Sequence, residues 1–291
     1  MSGPARVAAF AVLLVAIFGG AALAGAAIGP SGTRGGDDAA GAHGGEHTPA
    51  AAGGKPASGD ASAPPGLQVA QDGYRLVLEP TTLERAGREP VRFRIVTADG
   101  QALRDFEIEH EKRMHFIVAR RDLRGFQHLH PTMRADGTWE TGVNFAAGGT
   151  YRVFADFKAA GAKRTLGADV HVPGAFRPGT LPPPASSART QDGLEVILDA
   201  QDARAGKEGR VEFRVRRDGR AVDAELQPYL GAKGHLVALR EGDLAYLHTH
   251  PESDRLAFMA GYPTAGAYRL FVQFLYRDRV QTAAFTIEVA Q

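Results

Sequence analysis

A chain of 291 residues is long enough for two ordinary domains with appendages. Its 34 Lys and Arg are balanced by 33 Asp and Glu, mixed throughout with no basic stripe, which argues against nucleic-acid binding. Cysteine is absent, which excludes disulfides, thiolate zinc sites, blue-copper sites and cysteine catalysis; any metal must be held by nitrogen or oxygen, with methionine sulfur as the one soft helper.

Val7 to Gly29 carries no charge and is preceded by Arg6. As a helix this run would span about 34 Å, enough to cross a bilayer core. Ala22-Leu23-Ala24 would suit signal cleavage, but the apolar run exceeds a usual signal core, and Arg34, Asp37 and Asp38 follow only after it. Residues 1–29 are therefore expected to be an uncleaved, single-pass membrane anchor, with the bulk of the chain extracytoplasmic. Residues 30–67 are rich in Gly, Ala, Pro and Ser with no aromatic residue, and predict a disordered linker in which His43 and His47 are solvated.

Two copies of one unit follow, offset by about 120 residues. Asp72-Gly73-Tyr74-Arg75-Leu76-Val77-Leu78 matches Asp192-Gly193-Leu194-Glu195-Val196-Ile197-Leu198. Val91-Arg92-Phe93-Arg94-Ile95 matches Val211-Glu212-Phe213-Arg214-Val215, alternating with period two so that one face is apolar. Short strands bounded by turn residues, without a helical stripe, predict an all-β chain of two tandem β-sandwiches over 68–173 and 188–291. Tyr151 and Tyr268 each follow a turn and a glycine two places back, as in the tyrosine corner of immunoglobulin-like domains. Between the domains, 174–187 holds Pro178, Pro182, Pro183 and Pro184 and predicts a stiff, extended spacer.

Each unit carries one histidine motif. His115 is followed by twelve residues and then His128-Leu129-His130-Pro131; His235 is followed by twelve and then His248-Thr249-His250-Pro251. Six of the ten histidines sit at these matched positions. In an antiparallel hairpin the numbers of paired residues have a constant sum. A two-residue turn at Asp122-Leu123 gives 245 and one at Gly242-Asp243 gives 485. Those sums place His115 opposite His130 and His235 opposite His250. Opposed residues share a face, as do residues two apart on a strand, so His115, His128 and His130 converge, and His235, His248 and His250 converge likewise. The expectation is one three-histidine metal site per domain. Neutral imidazoles suit copper or zinc, with an open fourth position. Met114 and Met133 flank the first motif, but Gly234 stands where Met114 would be in the second, so thioether ligation is not general. Glu109, His110 and Glu111 read as a solvated polar strand, since their counterpart around Leu230 has no histidine, and His171 reads as a surface residue.

The run Met114-His115-x-Ile117-Val118, then Asp122-Leu123, Phe126, His128-x-His130-Pro131, resembles a motif of bacterial exported or membrane-anchored proteins labelled heavy-metal-binding or YtkA-like. The resemblance covers about residue 70 to the C-terminus and implies a sandwich of immunoglobulin-like or cupredoxin-like type, with no established activity. Gly-x-Ser-x-Gly, phosphate-loop and His-Glu-x-x-His motifs are absent and no general base recurs in both histidine motifs, so an enzyme is not expected. Two readings are carried forward. One is a membrane-tethered extracytoplasmic protein that buffers, delivers or senses copper or zinc. The other is an immunoglobulin-like module binding a protein of the cell envelope, with structural histidines.

Overall fold

A computed structural model describes residues 63–247 and 249–291. The expected anchor, nearly all of the expected linker, and His248 lie outside the described residues. No helix among those described is long and apolar enough to cross a membrane.

The first unit consists of β1 (Ala70–Gln71), β2 (Tyr74–Glu79), β3 (Gly87–Val96), β4 (His115–Arg120), β5 (Gln127–Leu129), β6 (Thr132–Met133), β7 (Trp139–Phe145), β8 (Gly149–Ala159) and β9 (Ala162–Val172). The second consists of β10 (Ser187–Arg189), β11 (Glu195–Asp199), β12 (Lys207–Arg217), β13 (Arg220–Ala221), β14 (His235–Arg240), β15 (Tyr246–Leu247), β16 (Thr249–Pro251), β17 (Ala257–Tyr262), β18 (Gly266–Tyr276) and β19 (Arg279–Val289). Each unit is an immunoglobulin-like β-sandwich of two antiparallel sheets. One sheet is ordered β1-β2-β3-β7-β6 and its counterpart β10-β11-β12-β17-β16; the facing sheets are β5-β4-β8-β9 and β15-β14-β18-β19.

Period-two alternation fills the two cores. Val91, Phe93 and Ile95 of β3 point inward with Leu76 and Leu78, as do Val211, Phe213 and Val215 of β12 with Val196 and Leu198. Both tyrosine corners form: the Tyr151 hydroxyl donates to the Ala147 carbonyl (3.0 Å) and that of Tyr268 to the Thr264 carbonyl (2.8 Å). The hairpins take the expected register. Phe116 pairs with Leu129 and Ile117 with His128, and Ala238 pairs with Leu247. Their loops are wider than two residues. Arg240 N–H bonds to the Ala245 carbonyl and Leu244 N–H to Arg240, with Leu244 at φ 63° and its counterpart Leu123 at φ 61°.

β4 and β14 are buried on both sides. Phe116, Val118, Leu236 and Ala238 face their own cores, whereas Ile117, Ala119, Val237 and Leu239 meet one another in a third apolar cluster with Leu123, Phe154, Leu244, Tyr246 and Phe271. The two histidine-bearing sheets thus pack face to face, and this seam includes a parallel stack of Phe126 on Phe271 with ring centroids 4.0 Å apart. The spacer carries no helix or strand before β10 and is tied down: Gly179 N–H donates to Asp122, Phe176 lies under the Arg120 guanidinium, and Leu181 joins the seam. Residues just before the first sandwich also belong to the fold. Tyr246 N–H bonds to the Pro65 carbonyl, and Arg152 donates to the carbonyl of Gly66 (2.9 and 2.7 Å). Gly66 sits at φ 76° against Phe154, where any Cβ would collide with the ring.

Candidate metal centre

β4 presents His115, Ile117 and Ala119 to the seam because alternate residues of a strand share a face. Its partner β5 adds His128, opposite Ile117. His130 follows the last paired residue of β5 and still reaches the group, its ring centroid 5.2 Å from that of His115 and 4.8 Å from that of His128. The first motif therefore converges as its spacing predicts. In the second, His235 and His250 do not converge. His235 shares the seam face of β14 with Val237 and Leu239 and stacks across the seam on His115 (5.4 Å, interplanar angle 5°), with His128 at 4.7 Å. His250, expected opposite His235, lies exposed on β16 opposite Met259, in the other sheet.

The reason for that difference is where the chain changes sheets. In the first unit the crossing comes between Leu129 and Thr132, beyond His128. In the second it comes between Leu247 and Thr249, and the Thr249 hydroxyl bonds to the Leu236 carbonyl (2.9 Å) at the corner. Among the described residues, one site per sandwich thus gives way to a single cluster shared by both. The close approach of β14 and β18 beside it also explains Gly234: a Cβ there would lie 2.5 Å from the Gln273 carbonyl oxygen.

Ligand nitrogens of His115, His128 and His235 all lie within 4.8 Å of one another. His115 Nδ1 and His128 Nε2 are 3.0 Å apart. The other nitrogen of each ring is committed. His115 Nε2–H donates to the Glu109 carbonyl (3.0 Å), and His128 Nδ1–H donates to Oε1 of Gln273 (2.8 Å), whose amide NH₂ in turn donates to the Thr282 hydroxyl (3.1 Å). A neutral imidazole has one donor and one acceptor nitrogen, so in this arrangement two lone pairs face each other. Nε2 of His235 and Nε2 of His130 are buried without a protein partner. Two nitrogens bound to one ion at about 2.0–2.1 Å would stand roughly 3–3.5 Å apart, which matches the closest pair.

Electrostatics disfavour a shared proton in place of a metal. Desolvation, with repulsion from His115 and His130, pushes His128 down to about 3, and desolvation followed by His115 brings His130 to about 4. His235 is lowered well below the usual histidine value by burial and then by His128, and His115 is lowered by burial against the opposing bond to the Glu109 carbonyl. The rings are therefore neutral at physiological pH, the form that binds metals.

Three contributors were not anticipated from sequence. His110, expected in a solvated polar strand, sits at φ 46° with its ring 5.7 Å from His235 and 6.2 Å from His115. Asp156 stands opposite His115 on β8, buried, and accepts a bond from the Thr165 hydroxyl (2.9 Å); desolvation raises its carboxyl to about 6. Gln273, opposite His235 on β18, orients His128 across the seam. His171 is exposed and within bonding distance of the Thr150 hydroxyl (3.1 Å), away from this cluster.

A family model described as "Domain of unknown function (DUF8832)" matches residues 68–174 and again 188–291. No curated protein matches the sequence. Among solved structures, the chain is similar to the Escherichia coli adhesin FdeC at 12% identity, covering 76% of this chain and 65% of that one with a TM-score of 0.26. It is similar to Yersinia pseudotuberculosis InvD at 12% identity, covering 76% and 59% with a TM-score of 0.26. The D0-D1 domain of intimin matches at 9% identity, covering 74% and 97% with a TM-score of 0.21. The chain thus spans about two thirds or less of the length of the first two.

Proposed function

We propose that this chain, which belongs to the DUF8832 family through both of its sandwiches, is a membrane-tethered extracytoplasmic protein that binds one copper or zinc ion in the seam between them. His115, His128 and His235 would be the ligands, with His130 and His110 beside them. The observation that carries the reading is the buried Nε2 of His235, which has no protein partner and belongs to a sandwich other than the one supplying the facing His115–His128 pair. Burying a polar nitrogen unpaired costs about 1–3 kcal/mol, and a bound ion would remove that cost at the same place where it separates two opposed lone pairs. The uncharged run Val7–Gly29 supports the tether, and the motif resemblance points toward metal.

The test is metal stoichiometry and affinity on the full-length chain after stripping. About one ion per chain is expected, bound by wild type and His250→Ala and lost in His115→Ala and His235→Ala. Two ions per chain, or wild-type affinity in His235→Ala, would overturn the shared site.

A second reading is an immunoglobulin-like envelope module that binds a protein partner, its histidines serving only to join the sandwiches. The tandem sandwich fold favours it, because such a module needs nothing more. It requires that a stripped chain bind no ion and keep its full partner affinity.

A further inference from the structure

We infer that the cation held in the seam is monovalent copper, with the buried carboxylate of Asp156 as its counter-charge. This rests on the reading that the three histidines bind a metal at all.

The donor set is uncharged. The clustered ligand group consists of His115, His128 and His235 and contains no carboxylate. Met114, next to His115 in sequence, is turned into the core of the first sandwich, so sulfur does not contribute. Imidazole accepts both oxidation states of copper and zinc alike, so donor type does not choose between them and charge must. Neutral ligands leave an ion's whole charge to be buried, and the cost of burial rises with the square of the charge, about fourfold from a monovalent to a divalent ion of like size. A divalent ion on three histidines ordinarily takes water or hydroxide at an open fourth position. Here two further neutral rings, His110 and His130, lie beside the group, 5.7 Å from His235 and 4.8 Å from His128 respectively, and add no charge to it.

The carboxylates nearby supply one negative charge, not two. Glu109 is committed to Lys163 at 2.9 Å. Asp156, opposite His115 and only 5% exposed, takes one hydrogen bond from Thr165 and forms no ion pair among the described residues. A monovalent ion beside Asp156 leaves the seam neutral, whereas a divalent ion leaves a net positive charge in an apolar interface.

Full-length, metal-stripped protein should be titrated anaerobically with Cu(I) against a chromophoric Cu(I) chelator, and separately with Zn(II) against a zinc chelator. One Cu(I) per chain is expected, bound about 100-fold or more tighter than Zn(II), with binding lost in His235→Ala. Asp156→Asn keeps the size and the Thr165 contact; it should weaken Cu(I) by about tenfold without lowering the melting temperature of the metal-free chain. Zn(II) binding at these histidines as tightly as Cu(I) would overturn monovalent copper and leave the metal reading standing. Binding of neither ion by a folded chain would remove both. Unchanged Cu(I) affinity in Asp156→Asn would overturn the counter-charge.

Discussion

The two orphaned nitrogens, His130 Nε2 and His235 Nε2, are the least favourable local feature of the metal-free seam. An unsatisfied buried atom costs stability unless a ligand takes it up, so substitution separates structural from ligand histidines. His235→Leu replaces a 9% exposed imidazole by an apolar side chain beside an apolar seam. Metal-free stability should hold or rise by up to about 1 kcal/mol, while stabilisation by added metal disappears. Loss of 2 kcal/mol or more from the metal-free chain, in a denaturant titration, would instead mark the histidine as structural; that threshold is about the cost of breaking a satisfied buried bond. Tyr268 is the opposite case. Its hydroxyl is buried and satisfied by the Thr264 carbonyl, so Tyr268→Phe leaves an acceptor unpaired and should cost about 1–3 kcal/mol. A stability equal to wild type would remove the corner as a structural device.

At the level of the hairpin, Leu244 holds a left-handed backbone, φ 63°, with its side chain fully buried in the seam. That conformation is costly for a branched residue and is imposed by packing from the other sandwich. Leu244→Ala loses the burial and keeps the strain, at about 2–4 kcal/mol. Leu244→Gly loses the burial but relaxes the backbone, and should be less damaging by about 1 kcal/mol. Gly being worse than Ala, the usual order in strands, would contradict the left-handed assignment. The sequence made the register readable because the fixed His-to-His spacing and strict strand alternation leave one pairing in which the apolar face stays buried. The tyrosine corners were readable for a similar reason, since the motif is local. What was not legible is non-local. Loop width at Leu244 and the change of sheet between β15 and β16 depend on contacts made across the seam and at the Thr249 corner. The seam itself had a signal that alternation alone obscures: His115-Phe116-Ile117-Val118-Ala119 and His235-Leu236-Val237-Ala238-Leu239 are continuous apolar runs after their histidines, as expected of strands buried on both sides. His110 escaped because it sits in a tight turn closed by Glu109 and Lys112, where strand periodicity says nothing about side-chain direction.

For the molecule as a whole, five neutral imidazoles meeting between two domains make folding itself pH-dependent. Burial, the leading cause for each, lowers the folded values of His110, His115, His128, His130 and His235 below 6.5. As pH falls below about 6.5 the unfolded chain takes up protons that the folded chain refuses, so stability fully present above that pH drains away on acidification, down toward about 4 for His130 and about 3 for His128. Asp156 works the other way. Its folded value, raised to about 6 from 3.8, lets the folded state bind a proton first, which favours folding progressively as pH falls from about 6 to about 4. Five groups against one decide the sign. Metal-free full-length protein should therefore lose several kcal/mol between pH 7 and pH 5, at about 1.4 kcal/mol per proton taken up per pH unit. His235→Leu should flatten that slope by removing one of the five. Bound metal should steepen the acid transition, since protonation must then also expel the ion. Thermal melts of the stripped chain at pH 7, 6 and 5 give the answer, and a melting temperature that rises or stays level on acidification would mean that these rings are not buried together in the seam.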